Sequence, residues 1–109
     1  MAGTTIVFFG IRISLVEEDI EAMENRTHHY LIRSRKEKLD YYWGKFERAT
    51  ESYYLFVGHL LGKFGEEDRF ERQFVLESIA EMAIDLKRRL PEAGFEGIPT
   101  LFIQFESDA

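Results

Sequence analysis

Histidine is the residue with the widest range of chemistry near neutral pH, and this chain has three: His28, His29 and His59. His59 stands within an apolar run, between Gly58 and Leu60, where an imidazole needs a hydrogen-bond partner or a cavity. Two interpretations follow. The ring is a core histidine satisfied by a backbone group or a tyrosine, or it is a general base or ligand contact in a pocket.

The other two histidines are candidate metal ligands. His28 and His29 are adjacent on a predicted helix, so their side chains point about 100° apart and cannot chelate one ion together. Glu24 and His28 are four residues apart and share a helix face, but two ligands fall short of a metal site. The pattern predicts a surface carboxylate–imidazole pair and no metal.

A glycine pair near His59 resembles a phosphate-binding loop at first sight. Three residues separate Gly58 from Gly62 where the motif has four, and Phe64 follows Lys63 where a magnesium-binding Ser or Thr belongs. We therefore predict a simple turn here. The acidic runs at residues 17–19 and 66–68 indicate helix starts and lack the separated carboxylate pair of acid–base catalysis. No cofactor and no catalytic constellation is expected.

Composition sets the class of protein. The chain has 109 residues, 45% of them hydrophobic and 31% charged, which is typical of one globular domain, here residues 1–109. It has no cysteine, which excludes disulfides and thiolate chemistry. The net charge of −6 disfavours nucleic acid as a partner. The N-terminal apolar run has no preceding positive charge and contains Arg12, so neither a signal peptide nor a membrane anchor is expected. We therefore expect a cytoplasmic protein.

Four strands are predicted around a central hairpin that spans residues 40–61. Their two-residue periodicity places them at residues 4–13, 41–46, 52–61 and 100–106. The hairpin connection at residues 48–51 lacks an Asn-Gly or Asp-Gly pair, so a loop of about four residues is expected. The strand at residues 52–61 is apolar on both faces, which is typical of a central strand that is covered twice.

Two helical patterns separate these strands. Ser14 and Glu17 match a capping box before the first, whose apolar stripe runs from Val16 to Ser34. Weak helix formers at residues 25–27 predict a break, with Thr27 capping the second piece. The second pattern starts at residues 66–68 and ends near Pro91 and Gly94.

The resulting order, strand–helix–strand–strand–helix–strand, resembles the ferredoxin-like βαββαβ fold. That resemblance implies an α+β domain with a four-stranded antiparallel sheet, strands one and three central, and two helices packed on one face. It implies architecture alone, because this fold hosts unrelated functions. RNA-recognition modules share the strand order, but the strand at residues 52–61 lacks their basic-aromatic signature.

The face without helices is the feature that predicts a partner. Ile6, Phe8, Trp43 and Phe102 would point away from the helices, together with one set of side chains from the third strand, which parity alone cannot choose. A monomer seldom exposes such a patch, so we expect a second copy to cover it, or a ligand to occupy it. The candidate interface or ligand residues are Phe8, Trp43, Tyr54, Phe56, His59 and Phe102.

The leading hypothesis is a non-enzymatic interaction module that forms a homodimer through this helix-free aromatic face. A second hypothesis is a dimeric α+β barrel enzyme or small-ligand binder, with a pocket formed by His59, Tyr54 and Trp43. A third is an acidic inhibitor or immunity-type protein whose negative charge matches a basic partner.

Overall fold

The computed structural model describes residues 3–47, 52–65 and 73–107, which form an α+β arrangement of one antiparallel sheet and three helices. The sheet order is β2-β3-β1-β4, so β1 and β3 are central and β2 and β4 are at the edges, as predicted. The elements, in chain order, are β1 (Gly3–Leu15), α1 (Glu17–Glu24), α2 (His29–Lys36), β2 (Asp40–Glu47), β3 (Ser52–Gly65), α3 (Leu76–Glu92) and β4 (Thr100–Ser107).

Two sequence predictions concern residues that the structure does not describe, and one is wrong. The hairpin connection at residues 48–51 and the helix start at residues 66–68 lie outside the described residues. The turn predicted around Gly62 is wrong, because β3 continues to Gly65. A β-bulge lies here instead: Val7 pairs with Gly62 and Phe8 with Leu60. A bulge sharpens the twist of the strand that carries it.

The first helical pattern is broken in two, as predicted, but its caps differ from the prediction. Ser14 belongs to β1, and α1 begins after Val16, whose backbone N–H donates to Asp19 Oδ2 at 3.0 Å. The cap of α2 is His28 rather than Thr27, since His28 Nδ1 accepts from the backbone N–H of Tyr30 at 3.1 Å. An imidazole nitrogen therefore accepts the N-cap hydrogen bond that the sequence predicts for the Thr27 hydroxyl.

A Schellman motif ends α3 at the place that Gly94 predicts. Gly94, at φ 85°, donates its N–H to the carbonyl of Pro91, and Phe95 donates to the carbonyl of Leu90. Phe95 and Leu90 are both buried, so the motif carries its usual hydrophobic contact. The chain therefore turns sharply from α3 towards β4.

The main core lies between the helices and one face of the sheet. On β3 this face carries Leu55 and Val57, both fully buried. The helices contribute Met23, Leu31, Leu86 and Leu90. The same cluster includes Phe9 and Ile11 of β1. Burying each such side chain stabilises the fold by roughly 1.5–3 kcal/mol relative to exposure.

Gly10 and Gly58 divide the sheet into two halves. They are partners in the β1–β3 ladder, and this pair also marks the last pairing of each edge strand, Asp40 with Gly58 and Thr100 with Gly10. The two backbones approach so closely that a Cβ built on Gly10 would lie 2.0 Å from the carbonyl oxygen of Val57. Glycine within a strand often permits such an approach and a sharp bend.

The sheet folds back on itself about this pair. Arg12 Nη1 donates to Gln104 Oε1 at 2.6 Å, although Gln104 is paired in the ladder with Ile6. Six residues of extended strand span roughly 20 Å, so an unbent sheet would hold these two side chains far apart. Cα atoms of β2 and β4, the two edges, also come within 8 Å of each other. The sheet therefore encloses its helix-free face.

A second core fills the enclosed face. Ile6, Phe8 and Phe56 are 1%, 0% and 0% exposed, and the partly buried hydrophobic residues that pack with them in the described part of the chain all lie on strands: Tyr42, Tyr54 and Phe102. The Phe56 ring lies 5.6 Å from the Phe8 ring and 5.4 Å from the Phe102 ring, centre to centre. These are favourable distances for tilted and edge-on aromatic pairs. The sheet itself supplies the cover that the sequence assigned to a partner.

The close approach of the two central backbones gives a first prediction. Gly10→Ala should lower the free energy of unfolding by about 3 kcal/mol, because the new methyl group meets backbone atoms that cannot move aside. Gly62→Ala is the matched control, since its nearest neighbour is the end of the Phe64 ring, which can rotate, and its cost should be clearly smaller. Urea denaturation of both variants measures this. Equal costs would contradict the assigned bend.

The second core gives a second prediction. Phe56→Ala should destabilise the protein by about 3–5 kcal/mol, the usual cost of deleting a buried ring. The cost should be the same at every protein concentration, since the cover is intramolecular. Phe74→Ala is the control, because that ring is 41% exposed and its loss should cost far less. A cost for Phe56→Ala that grows with protein concentration would instead indicate cover by a second copy.

Candidate functional site

The residues predicted to form the interface are distributed over both faces of the sheet. Phe8 and Phe56 are fully buried in the second core, and Tyr54 and Phe102 are partly buried against it. The expectation of an exposed aromatic patch on the helix-free face is therefore wrong for these residues, because the sheet folds over them. Trp43 was predicted on this face, but it packs against the helix-side core beside Tyr53, with ring centres 6.2 Å apart.

His59 has a carboxylate partner on the helix side of the sheet. A hydrogen bond joins His59 Nε2 to Asp85 Oδ2 at 3.2 Å, with the imidazole donating. Partial burial alone would raise the pKa of Asp85, but hydrogen bonds from Arg89 and His59 outweigh it and lower the pKa. Asp85 is therefore an ionised acceptor at neutral pH. The structure thus provides the partner that the sequence required of an imidazole in this strand.

The same carboxylate belongs to a network that joins three elements. Arg89 Nη1 lies 3.0 Å from Asp85 Oδ2, and Arg89 Nη2 donates to the backbone carbonyls of Glu37 and Lys38 just beyond α2. Arg88 contacts the other oxygen of Asp85 at 3.1 Å. Arg89 thus satisfies carbonyls that the end of α2 leaves without helical partners. This is a structural role, which links α3 to both β3 and α2.

The pocket proposed for an enzyme around His59 is not assembled. Tyr54 packs with the second core, on the opposite face of β3 from His59, which pairs with the helix-side residue Phe9. Trp43 pairs with Leu55, four residues along β3 from His59, or roughly 13 Å at the usual strand rise. An Asp–His pair resembles part of a catalytic triad, but these residues do not converge on a common cavity.

His28, the N-cap residue of α2, is buried. Its ring is 5% exposed, and its Nε2 donates to Asp19 Oδ1 at 2.8 Å while its Nδ1 caps α2. The predicted pairing with Glu24 is wrong, because the imidazole turns to Asp19 instead. Both ring nitrogens are used, which leaves none for a metal. No cluster of three or more potential metal ligands is present in the described part of the chain.

The surface that sequence analysis missed is the outer side of β4. Leu101, Ile103 and Phe105 alternate along this edge strand and are 48%, 66% and 53% exposed. They face the same side of the sheet as the helices, since Leu101 pairs with Phe9 and Ile103 with Val7. We call these three residues the β4 apolar row. Their alternation is visible in the sequence, and they lie on the opposite face of β4 from Phe102.

The exposed side of α3 continues this apolar character. Asp85 and Arg89 turn towards β3 and the end of α2. Elsewhere on α3, Leu76 and Ile84 are 79% and 71% exposed. Ile98, in the connection to β4, is 81% exposed. Isolated exposed apolar residues are normal, but six of them occur on β4, on α3 and in the connection between these two elements.

Comparisons with protein-family models, with curated proteins and with solved structures gave no match to this chain. Among the helices of residues 3–47 and 73–107, none is long and apolar enough to cross a membrane.

The His28–Asp19 hydrogen bond gives a pH prediction. Donation from His28, and then from the Val16 backbone, lowers the pKa of Asp19 below the usual value of about 4. Because the folded pKa is the lower one, the carboxylate's stabilisation is complete above the unfolded pKa and is lost as the pH falls through the folded pKa. Asp19→Asn should destabilise the protein at neutral pH and should flatten the loss of stability below about pH 4.

Urea denaturation at a series of pH values measures this effect. Glu18→Gln is the control, since it removes a neighbouring exposed carboxylate of α1 and leaves the His28 hydrogen bond in place. Its stability should follow that of the unmodified protein through the acid range. If Asp19→Asn and Glu18→Gln have the same pH dependence, the hydrogen bond does not contribute in the way described.

Proposed function

We propose that the protein is a non-enzymatic interaction module that forms a homodimer through the β4 apolar row and the adjacent side of α3. The observation that carries this proposal is the exposure of Leu101, Ile103 and Phe105 in a protein that buries its other sheet face completely at Phe8 and Phe56. The dimer itself is the prediction made from the sequence. Its place is moved from the helix-free face to the outer side of β4.

A ferredoxin-like fold is part of this proposal. The strand order β2-β3-β1-β4, antiparallel throughout, supports it, as does the packing of helices on one face of the sheet. The first helical segment is divided into α1 and α2, which is an elaboration of the two-helix pattern. A cytoplasmic location fits the absence of cysteine, because a reduced compartment offers no disulfides.

A second copy is the occupant that the row fits best. Three apolar side chains at alternate positions are self-complementary about a twofold axis through the middle one. Such an axis near Ile103 would set Ile103 against its own copy and Leu101 against Phe105, so that apolar side chains meet apolar side chains throughout. Closed twofold dimers with such isologous contacts are the commonest soluble assemblies.

The area required extends the surface beyond the row. A stable interface buries roughly 800 Å² on each partner, whereas three half-exposed side chains supply roughly 300 Å². The proposed contact therefore includes Leu76, Ile84 and Ile98, which are the more exposed members of the surface. A basic protein partner, suggested by the net charge of −6, has no comparable feature among the described residues that selects it.

The oligomeric state tests the proposal. Sedimentation equilibrium at concentrations from about 1 to 100 µM should give a dimer for the unmodified protein. Ile103→Lys should weaken the dimer about 30-fold or more, as expected for a hot spot worth about 2 kcal/mol. The new lysine side chain is solvated at this exposed site, so the monomer should remain folded. Its circular dichroism spectrum should match that of the unmodified protein.

Ile32→Lys is the matched control for this experiment. Ile32 is 53% exposed but belongs to α2, which is not part of the proposed contact. This variant should dimerise as well as the unmodified protein. A monomer at the highest concentration, or equal effects of the two lysines, would overturn the proposed interface.

A further inference from the structure

We propose a second binding site, for a small zwitterion with an apolar side chain, such as a free α-amino acid, in the groove between α2 and residues 92–96. This site lies outside the β4–α3 surface and does not depend on it. The groove consists of two adjoining clefts of about 440 and 300 Å³ that share Arg33 and Gly94. The larger cleft is of the size that small ligands occupy in proteins.

The larger cleft has a mostly polar lining with a smaller apolar part. We take this apolar part, formed by Ile13 from β1, Tyr30 from α2 and Phe95 from the connection after α3, as its floor. The rings of Tyr30 and Phe95 lie 5.7 Å apart and are tilted by 44°. Phe95 is buried while Tyr30 is partly exposed, so the phenol ring is the accessible part of the floor. A flat or branched apolar group can pack against it.

The two sides of the cleft carry opposite charges. His29 and Arg33 are one turn apart on α2 and line one side, and Glu96 lines the other. Neither Arg33 nor Glu96 forms an ion pair within 4.0 Å with another described residue. The guanidinium holds one long hydrogen bond, 3.4 Å to the carbonyl of Gly94, and so retains donors for a bidentate carboxylate.

This arrangement selects a ligand with both charges. A carboxylate would bind Arg33, and an ammonium group would bind Glu96 across an apolar floor. A simple anion would meet Glu96, and a simple cation would meet Arg33, at a cost in each case. The adjoining smaller cleft is also lined by both charges, with Lys36, Glu37 and Glu92, so a longer zwitterion has room to extend.

The state of His29 agrees with a positive local potential. Burial, followed by the charges of His28 and Arg33, lowers the pKa of His29. A ligand carboxylate at Arg33 would offset that charge and raise the pKa of His29. The imidazole is therefore a built-in reporter of occupancy at this site.

L-Phenylalanine is the probe for the test, with nuclear magnetic resonance of the full chain as the readout. Saturable shifts should appear at the His29 ring and at Gly94, with a dissociation constant on the order of 1 mM for so small a ligand. Phenylpropionate, which lacks the ammonium group, and phenethylamine, which lacks the carboxylate, should each bind at least tenfold more weakly. The pKa of His29 should rise when L-phenylalanine is bound.

Two variants and one control complete the design. Arg33→Gln and Glu96→Gln should each weaken binding at least tenfold, and Arg33→Gln should abolish the ligand-dependent change in the pKa of His29. Lys87→Gln, which removes an exposed charge from α3, should leave binding unchanged. If no saturable shifts appear at roughly tens of millimolar L-phenylalanine, a concentration at which even weak ligands bind, the proposal is overturned. Equal binding of the single-charge analogues, or binding that survives both variants, would also overturn it.

Discussion

The contact between the backbones of Gly10 and Gly58 is the constraint on which the rest of the structure depends. At this pair the central strands approach more closely than any Cβ allows, with Gly58 at φ 148°. The approach permits the long strands β1 and β3 to bend, and the bend brings β4 over β2. A larger side chain at either position would meet backbone atoms of the facing strand.

This bend gives a small chain two cores instead of one. The first packs helices on a sheet, and the second packs one half of the sheet on the other. Polar side chains close the second core: Arg12 lies 4.6 Å from the ring centre of Tyr54 and 5.2 Å from that of Phe102, and it is held there by Gln104. Cation–π contacts of this kind stabilise aromatic faces that remain partly wet. Phe8 and Phe56 on the helix-free face therefore belong to a buried hydrophobic core.

Several features of the fold could be predicted from the sequence because they depend on local pattern. The strand order followed from the sequence of elements, the break between α1 and α2 from weak helix formers, and the end of α3 from Gly94. Apolarity on both faces of β3 correctly indicated that both faces are covered. What covers the second face could not be predicted, because parity assigns a side chain to a face and says nothing about the curvature of the sheet.

The wrong assignments have a similar cause. Trp43 follows two tyrosines in β2, so both faces of that strand are apolar in sequence and the register with Leu55 decides between them. His28 replaces Thr27 as a cap because Asp19, nine residues earlier, fixes the imidazole with its Nδ1 turned towards the helix. Capping preferences describe isolated helix ends and do not include such a tertiary partner. His59 was singled out correctly as needing a partner, but that partner, Asp85, is 26 residues away.

The two cores also bear on where the proposed function is located. Phe8 and Phe56 are enclosed, and His28 and His59 are paired with carboxylates, whereas the surfaces proposed for recognition lie on the outer side of β4 and in the groove beside α2. The net charge of −6 acts against random association of two copies, since repulsion between like charges is felt over about 10 Å at moderate salt. In the proposed dimer, an apolar contact of very short range would form where the β4 apolar row meets itself, and the many arrangements that set acidic surfaces together would be disfavoured.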